Sequence, residues 1–99
     1  MKIRLFRKKP VVVEAVRFTA EDWREIEKWG NGKINAIVNE VDGELVPVCA
    51  FIEALEGRLT ALFGQWIIRG IKGEFYPCDP DIFEQTYELV VTLVSGHNV

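Results

Sequence analysis

The sequence predicts an α+β domain: a curved, largely antiparallel and partly barrel-like sheet with one amphipathic helix and one short helical turn. Three observations lead there. Trp23, Ile26 and Trp29 recur at helical spacing. The pairs Asp42–Gly43 and Glu56–Gly57 each separate β-prone runs, as tight hairpin turns do. The runs themselves place apolar residues on both faces, which a sheet wetted on one side does not need.

Each element follows in order. "PVVVEAVRF" (Pro10–Phe18) is rich in β-branched residues and reads as a strand, with Pro10 at its start. "TAEDWREIEKWG" reads as a helix over about Ala20–Trp29, with Thr19 as a candidate cap and "GNG" (Gly30–Gly32) as its stop. Lys33–Val41 is a strand, Asp42–Gly43 a turn, and Leu45–Leu55 a second strand broken or edged at Pro47. A turn at Glu56–Gly57 sets Leu55 opposite Arg58, Ala54 opposite Leu59 and Ile52 opposite Ala61. Small and branched residues then share one face, while Phe51, Leu55 and Leu62 lie on the other. Trp66–Ile68 and Glu74–Cys78 are short strands joined through Gly70–Gly73. "DPDIFEQ" is a helical turn near Pro80–Gln85, with Asp79 to cap it and Pro80 at its first position. Thr86–Val94 reads as a last strand, with "SGH" after it.

A chain of 99 residues, 48% of them apolar, makes a single domain spanning 1–99 with one core. So small a domain leaves much apolar surface outside, and self-association is an economical way to bury it. The net charge of -3 names no partner, but its distribution is uneven. Lys2, Arg4, Arg7, Lys8 and Lys9 sit at the start; the remaining seven basic residues face all fifteen acidic ones, a net of -8. The acidic body weighs against nucleic-acid binding by that basic end. Two cysteines, Cys49 and Cys78, are no disulfide framework. No signal-peptide-like or bilayer-spanning apolar run is present, so a soluble intracellular protein with reduced thiols is expected, with no membrane partner.

Chemistry-bearing residues are few. In "RGIKGE", Arg69 and Lys72 flank a glycine turn and form a candidate anion site, with Trp66 and Tyr76 placed to stack a base. The spacing is not that of a P-loop. Around "CDPD", Cys78 with its neighbouring acids lacks the further ligands a zinc site needs. No internal histidine can serve that thiol as base, since His97 lies close to the end. No metal, cofactor or catalytic set is therefore expected.

Two stretches, "RKKPVVVEAVRFT" and "WIIRGIKGEFYPCDPDIFEQTYE", resemble small proteins of bacteriophages and prophages, the functionally uncharacterised PGDYG family. Arg7–Pro10, Lys72–Cys78 and Phe83–Glu88 fit that family's pattern. Phe63-Gly64-Gln65-Trp66 stands where a Pro-Gly-Asp-aromatic turn is expected, so the glycine is kept and the aspartate is not. The middle of the chain, Ala20 to Ala61, carries no part of the resemblance. It implies a phage origin and a host-cytoplasm setting, and it supplies no catalytic residue.

The expected function is a non-enzymatic phage or prophage accessory protein that binds partners and self-associates. Phe51, Leu55 and Leu62 are the expected subunit contact. The alternative is a small-ligand binder that captures a nucleotide or another anion with Trp66, Arg69, Lys72 and Tyr76, as in sequestering a host signalling nucleotide. A host protein is the other partner the setting suggests.

Overall fold

A computed structural model describes residues 1–93. Its elements run β1 (Glu14–Arg17), α1 (Trp23–Gly30), β2 (Ile34–Val41), β3 (Glu44–Ala54), β4 (Gly57–Leu62), β5 (Trp66–Arg69), β6 (Phe75–Cys78) and α2 (Pro80–Thr86). The chain is mixed α and β, mostly strand, and every strand pairing is antiparallel. The strands form two three-stranded sheets, ordered β1-β5-β6 and β2-β3-β4, rather than one continuous curved sheet, and among the described residues they close no barrel. The division has a local cause. After β4 the chain turns at Gly64, whose φ of 90° favours a residue without Cβ. Two backbone bonds of 2.8 Å, Phe18 N–H to Gln65 O and Gly64 N–H to Phe18 O, clamp that turn to the end of β1 and carry β5 into the other sheet.

The β2–β3 hairpin turns where the sequence places it. Asp42 (φ 51°) and Gly43 (φ 82°) both take positive φ, as a type I′ turn demands, and Val41 faces Glu44. Pro47 does not break β3. It lies beside the register shift after Ile37, where Cys49 pairs with Ile37 and Pro47 with Val38, leaving Val48 as the extra residue of a bulge. β4 ends opposite Cys49, so the side of Pro47 that lacks an N–H has no strand to bond. In the β3–β4 hairpin the expected register is displaced by two: Ala54 faces Gly57, Ile52 faces Leu59 and Ala50 faces Ala61. Because side chains alternate with period two, that displacement keeps each residue on its expected face. Leu55 moves into the turn.

Helix α1 starts later than expected. Asp22 is its N-cap residue, and the Thr19 hydroxyl bonds the Asp22 carboxylate (3.3 Å) instead of a helix amide. Trp23, Ile26 and Gly30 are buried, while Arg24, Glu25 and Lys28 are exposed. Asn31 takes the left-handed C-cap position, not a glycine. Gly30 serves space instead: a Cβ there would lie 2.6 Å from Ile34 Cγ1 and 2.7 Å from Ile34 Cβ.

The two sheets face each other across one core of Phe18, Trp23, Ile26, Ile34, Ala50, Ile52, Ala61, Ile67 and Phe75, with α1 packed on β2. Truncating the fully buried Ile52 to Ala would cost about 2–5 kcal/mol, a large part of a small domain's stability. On the outer face of the first sheet, Phe83 of α2 stacks on Trp66.

The expected last strand does not form in its described part. Asp79 and Pro80 start α2, which runs on through Thr86, whose hydroxyl donates to Ile82 O (2.7 Å). Residues 88–93 lie in no strand; Leu89 is 83% and Leu93 81% exposed. Val94 and the "SGH" segment with His97 fall outside the described residues.

Both edges of the second sheet are partly claimed by side chains. Glu27 of α1 accepts from the Ala36 amide of β2 (2.9 Å), and Gln65 accepts from the Leu62 amide of β4 (2.8 Å). Alternation puts the Val38 and Glu40 amides on the same side as that of Ala36, facing outward along the rest of β2.

Candidate functional site

Strand alternation decides which expected residues meet. Pairing sets Trp66 opposite Cys78, Ile68 opposite Tyr76, and Arg69 opposite Phe75. Trp66 and Tyr76 therefore share the outer face of the first sheet, and Arg69 lies on the inner face. Arg69 is bound to Glu14, its cross-strand partner on β1, at 3.4 Å. Lys72 sits exposed in the turn between β5 and β6. Glu74 bends back over that turn, where its carboxylate accepts from the Lys72 amide (3.4 Å). An acidic side chain thus stands where the expected anion would bind. Trp66 is no free platform either: it stacks on Phe83 of α2 (4.2 Å, 9°), and Phe83 stacks on Tyr87 (5.0 Å, 25°). The four residues Trp66, Arg69, Lys72 and Tyr76 are not brought to one place.

The same outer face gathers a different group. The Lys8 ammonium donates to the Tyr87 hydroxyl (2.6 Å) and lies 4.2 Å from the centre of its ring. The Tyr76 and Tyr87 hydroxyls are 3.5 Å apart. Burial, aided by the bond to Tyr87, pushes the Tyr76 phenol up to about 12. The bond from Lys8 holds the Tyr87 phenol below its ordinary value. Burial, with Asp79 and Asp81 nearby, pushes the Cys78 thiol up, which suppresses the thiolate a nucleophile requires. Beside the phenols opens a cleft of about 370 Å³, walled by Val11, Val13 and Ile71, with Lys8, Lys9 and Glu74 at its polar parts. Sequence reading missed this cluster because Lys8 and Tyr87 stand 79 positions apart and no local pattern links them.

The outer face of the second sheet is apolar at its centre. Ile37, Cys49 and Leu62 are direct cross-strand neighbours in one row, and Phe51 follows in the next, between Asn35 and Thr60. Ile37 is 40% and Leu62 56% exposed. The Arg58 guanidinium lies 4.8 Å over the Phe51 ring and pairs with Glu53 (3.0 Å), giving the patch a charged end. Of the expected contact residues, Phe51 and Leu62 lie on this face, while Leu55 projects from the turn. The β2 register adds Ile37 beside Cys49, which the β3–β4 hairpin alone does not reveal.

Among the described residues, no group of three or more His, Cys, Asp or Glu side chains could hold a metal ion, and no helix is long and apolar enough to cross a membrane. No family model matches the chain, and neither a curated protein nor a solved structure shows significant similarity to it.

Proposed function

We propose that this chain is a non-enzymatic interaction protein that assembles with copies of itself, an accessory factor of the phage and prophage kind its two end motifs resemble, acting in the host cytoplasm. The observation that carries the reading is the Ile37–Cys49–Leu62 row with Phe51 beside it, an uncovered apolar strip on a regular sheet face. Such strips mark association surfaces when rimmed by polar groups, and Asn35, Thr60, Glu53 and Arg58 form that rim. The chosen occupant is a second copy, because a two-fold contact needs only one self-complementary patch and this one carries both signs of charge at its end. Sedimentation of the purified chain across a wide concentration range tests it. A dimer or larger species that Leu62→Asp or Ile37→Asp dissociates supports the reading; a monomer at every concentration refutes it.

A second reading, capture of a small anion or nucleotide, is favoured by one observation. The cleft beside Tyr76 and Tyr87 is lined by two basic residues, Lys8 and Lys9, next to apolar walls. That shifts the cations of the site from Arg69 and Lys72 to Lys8 and Lys9, while Gly70 and Ile71 of the loop still wall the cleft. Calorimetry against a nucleotide panel, repeated with Lys8→Met, distinguishes it: heat lost in the variant supports capture there, and no heat with any nucleotide ends it.

A further inference from the structure

The N-terminal arm and the free part of β2 are complementary in three respects. The first is shape. Residues 1–10 belong to no strand, and Ile3, Leu5 and Phe6 are 82%, 97% and 87% exposed. The arm nevertheless alternates basic and apolar residues from Lys2 to Leu5, the pattern of a strand seeking a neighbour. Extended chain rises about 3.3 Å per residue, so the seven residues ahead of the Lys8 anchor reach roughly 23 Å.

The second is hydrogen bonding. Glu27 occupies the Ala36 amide, but the outward amides and carbonyls of Val38 and Glu40 remain open to an added strand. The third is register. An antiparallel arrangement that sets Arg4 opposite Glu40 brings Lys2 opposite Asp42, Ile3 opposite Val41 and Phe6 opposite Val38. Two opposite-charge pairs and two apolar pairs form together, and the bonded positions Arg4 and Phe6 fall on the two open residues of β2. Val41 is itself 52% exposed.

We propose that the N-terminal arm of one copy adds as a fourth strand to the Val38–Glu40 edge of β2 in a second copy, by β-augmentation. This rests on the self-association reading above and names the segment that performs it. A second copy is the occupant because the arm, tied at its root by Lys8 to Tyr87 on the outer face of the first sheet, pairs with no strand of its own chain among the described residues. Size points the same way. Three strands about 4.8 Å apart, with some six residues each, offer a face of only about 300 Å². A standard interface takes about 800 Å² per partner. The added strand places Ile3 and Leu5 beside the outer face that bears Ile37, widening the strip.

The test is a charge exchange on the full chain, read as the dimer dissociation constant by sedimentation and as composition by native mass spectrometry. Arg4→Glu and Glu40→Lys each set like charges opposite one another twice per dimer and should weaken it about tenfold. Mixed in equal amounts, the two variants should recover wild-type association as a heterodimer, because each arm then meets an edge of opposite sign. Raised salt should weaken the wild type and the mixed pair alike. Variants that dimerise as the wild type does, or a mixture that fails to recover, overturn the arm proposal. If Leu62→Asp still dissociates those copies, the sheet-face reading survives alone. Recovery only when both substitutions sit in one chain means the arm folds onto its own β2 and also overturns it. A wild-type monomer throughout ends both.

Discussion

Replacing Gly30 by alanine separates two reasons for a glycine at a helix end. If Gly30 merely stops α1, alanine is harmless, because the left-handed position belongs to Asn31. The geometry says otherwise. The new methyl carbon would lie 2.6, 2.7 and 2.8 Å from Ile34 Cγ1, Cβ and Cδ1, all below the 3.0 Å that real Cβ contacts respect. Rotating Ile34 moves two of those atoms but not its Cβ, which the β2 backbone fixes. Ile34 is 1% exposed and has nowhere to go. Helix end and strand must therefore separate, an overpacking cost of about 1–3 kcal/mol. Alanine's helix preference returns at most about 1 kcal/mol, and less at a terminal position. A net loss of about 1–2 kcal/mol is expected, and at about 4–8 °C per kcal/mol the melting temperature should fall by roughly 10 °C. Thermal melts at one fixed protein concentration keep any association constant between the proteins. Urea unfolding with an unchanged slope would assign the loss to the native state. An unchanged or raised melting temperature would refute the close approach of α1 and β2. Asn31→Gly, as the control, should be nearly neutral.

Three further outcomes follow from the packing. In an alkaline titration followed by ultraviolet absorbance, Tyr87 should ionise first and Tyr76 last, near 12, and Lys8→Met should move Tyr87 upward; simultaneous ionisation at the ordinary value would count against the clasp. Stability has matching signs: the raised Tyr76 contributes fully below pH 10 and loses that contribution as pH climbs through about 12, while the lowered Tyr87 contributes above the ordinary value and loses it as pH falls through its own. Trp23→Phe should cost less than about 1 kcal/mol, because the buried Trp23 Nε1 has no partner and its removal offsets the lost ring area, a balance read from urea midpoints. Phe83→Ala should cost about 2–3 kcal/mol by removing the ring between Trp66 and Tyr87, and the tryptophan emission should shift to the red as Trp66 meets water.

Local rules carried much of the architecture. Helical spacing located α1 to within a few residues, and Asp42–Gly43 placed the turn of the first hairpin. The second hairpin slipped by two because a glycine at a turn can be its last residue or the first of the next strand; alternation protected the faces from that error. The last strand does not form over residues 88–93 because β propensity needs a neighbour, and α2 runs one residue past its expected end to take Thr86. The residues of the expected anion site divide by parity: Trp66 and Arg69 are three apart in one strand, hence on opposite faces, a signal present in the sequence once that strand was assigned. The Lys8–Tyr87 contact and the Glu14 partner of Arg69 depend on β1 pairing with β5 across the whole middle of the chain. No local pattern encodes that choice.

The carboxylate of Glu27 and the amide of Gln65 each stopper one position at opposite flanks of the same sheet. A fibril lengthens only if every arriving chain offers its successor a full row of vacant bonding groups. Here each flank presents a stub, too short to template such a row. The molecule can accept a guest strand on such a flank without seeding endless stacking.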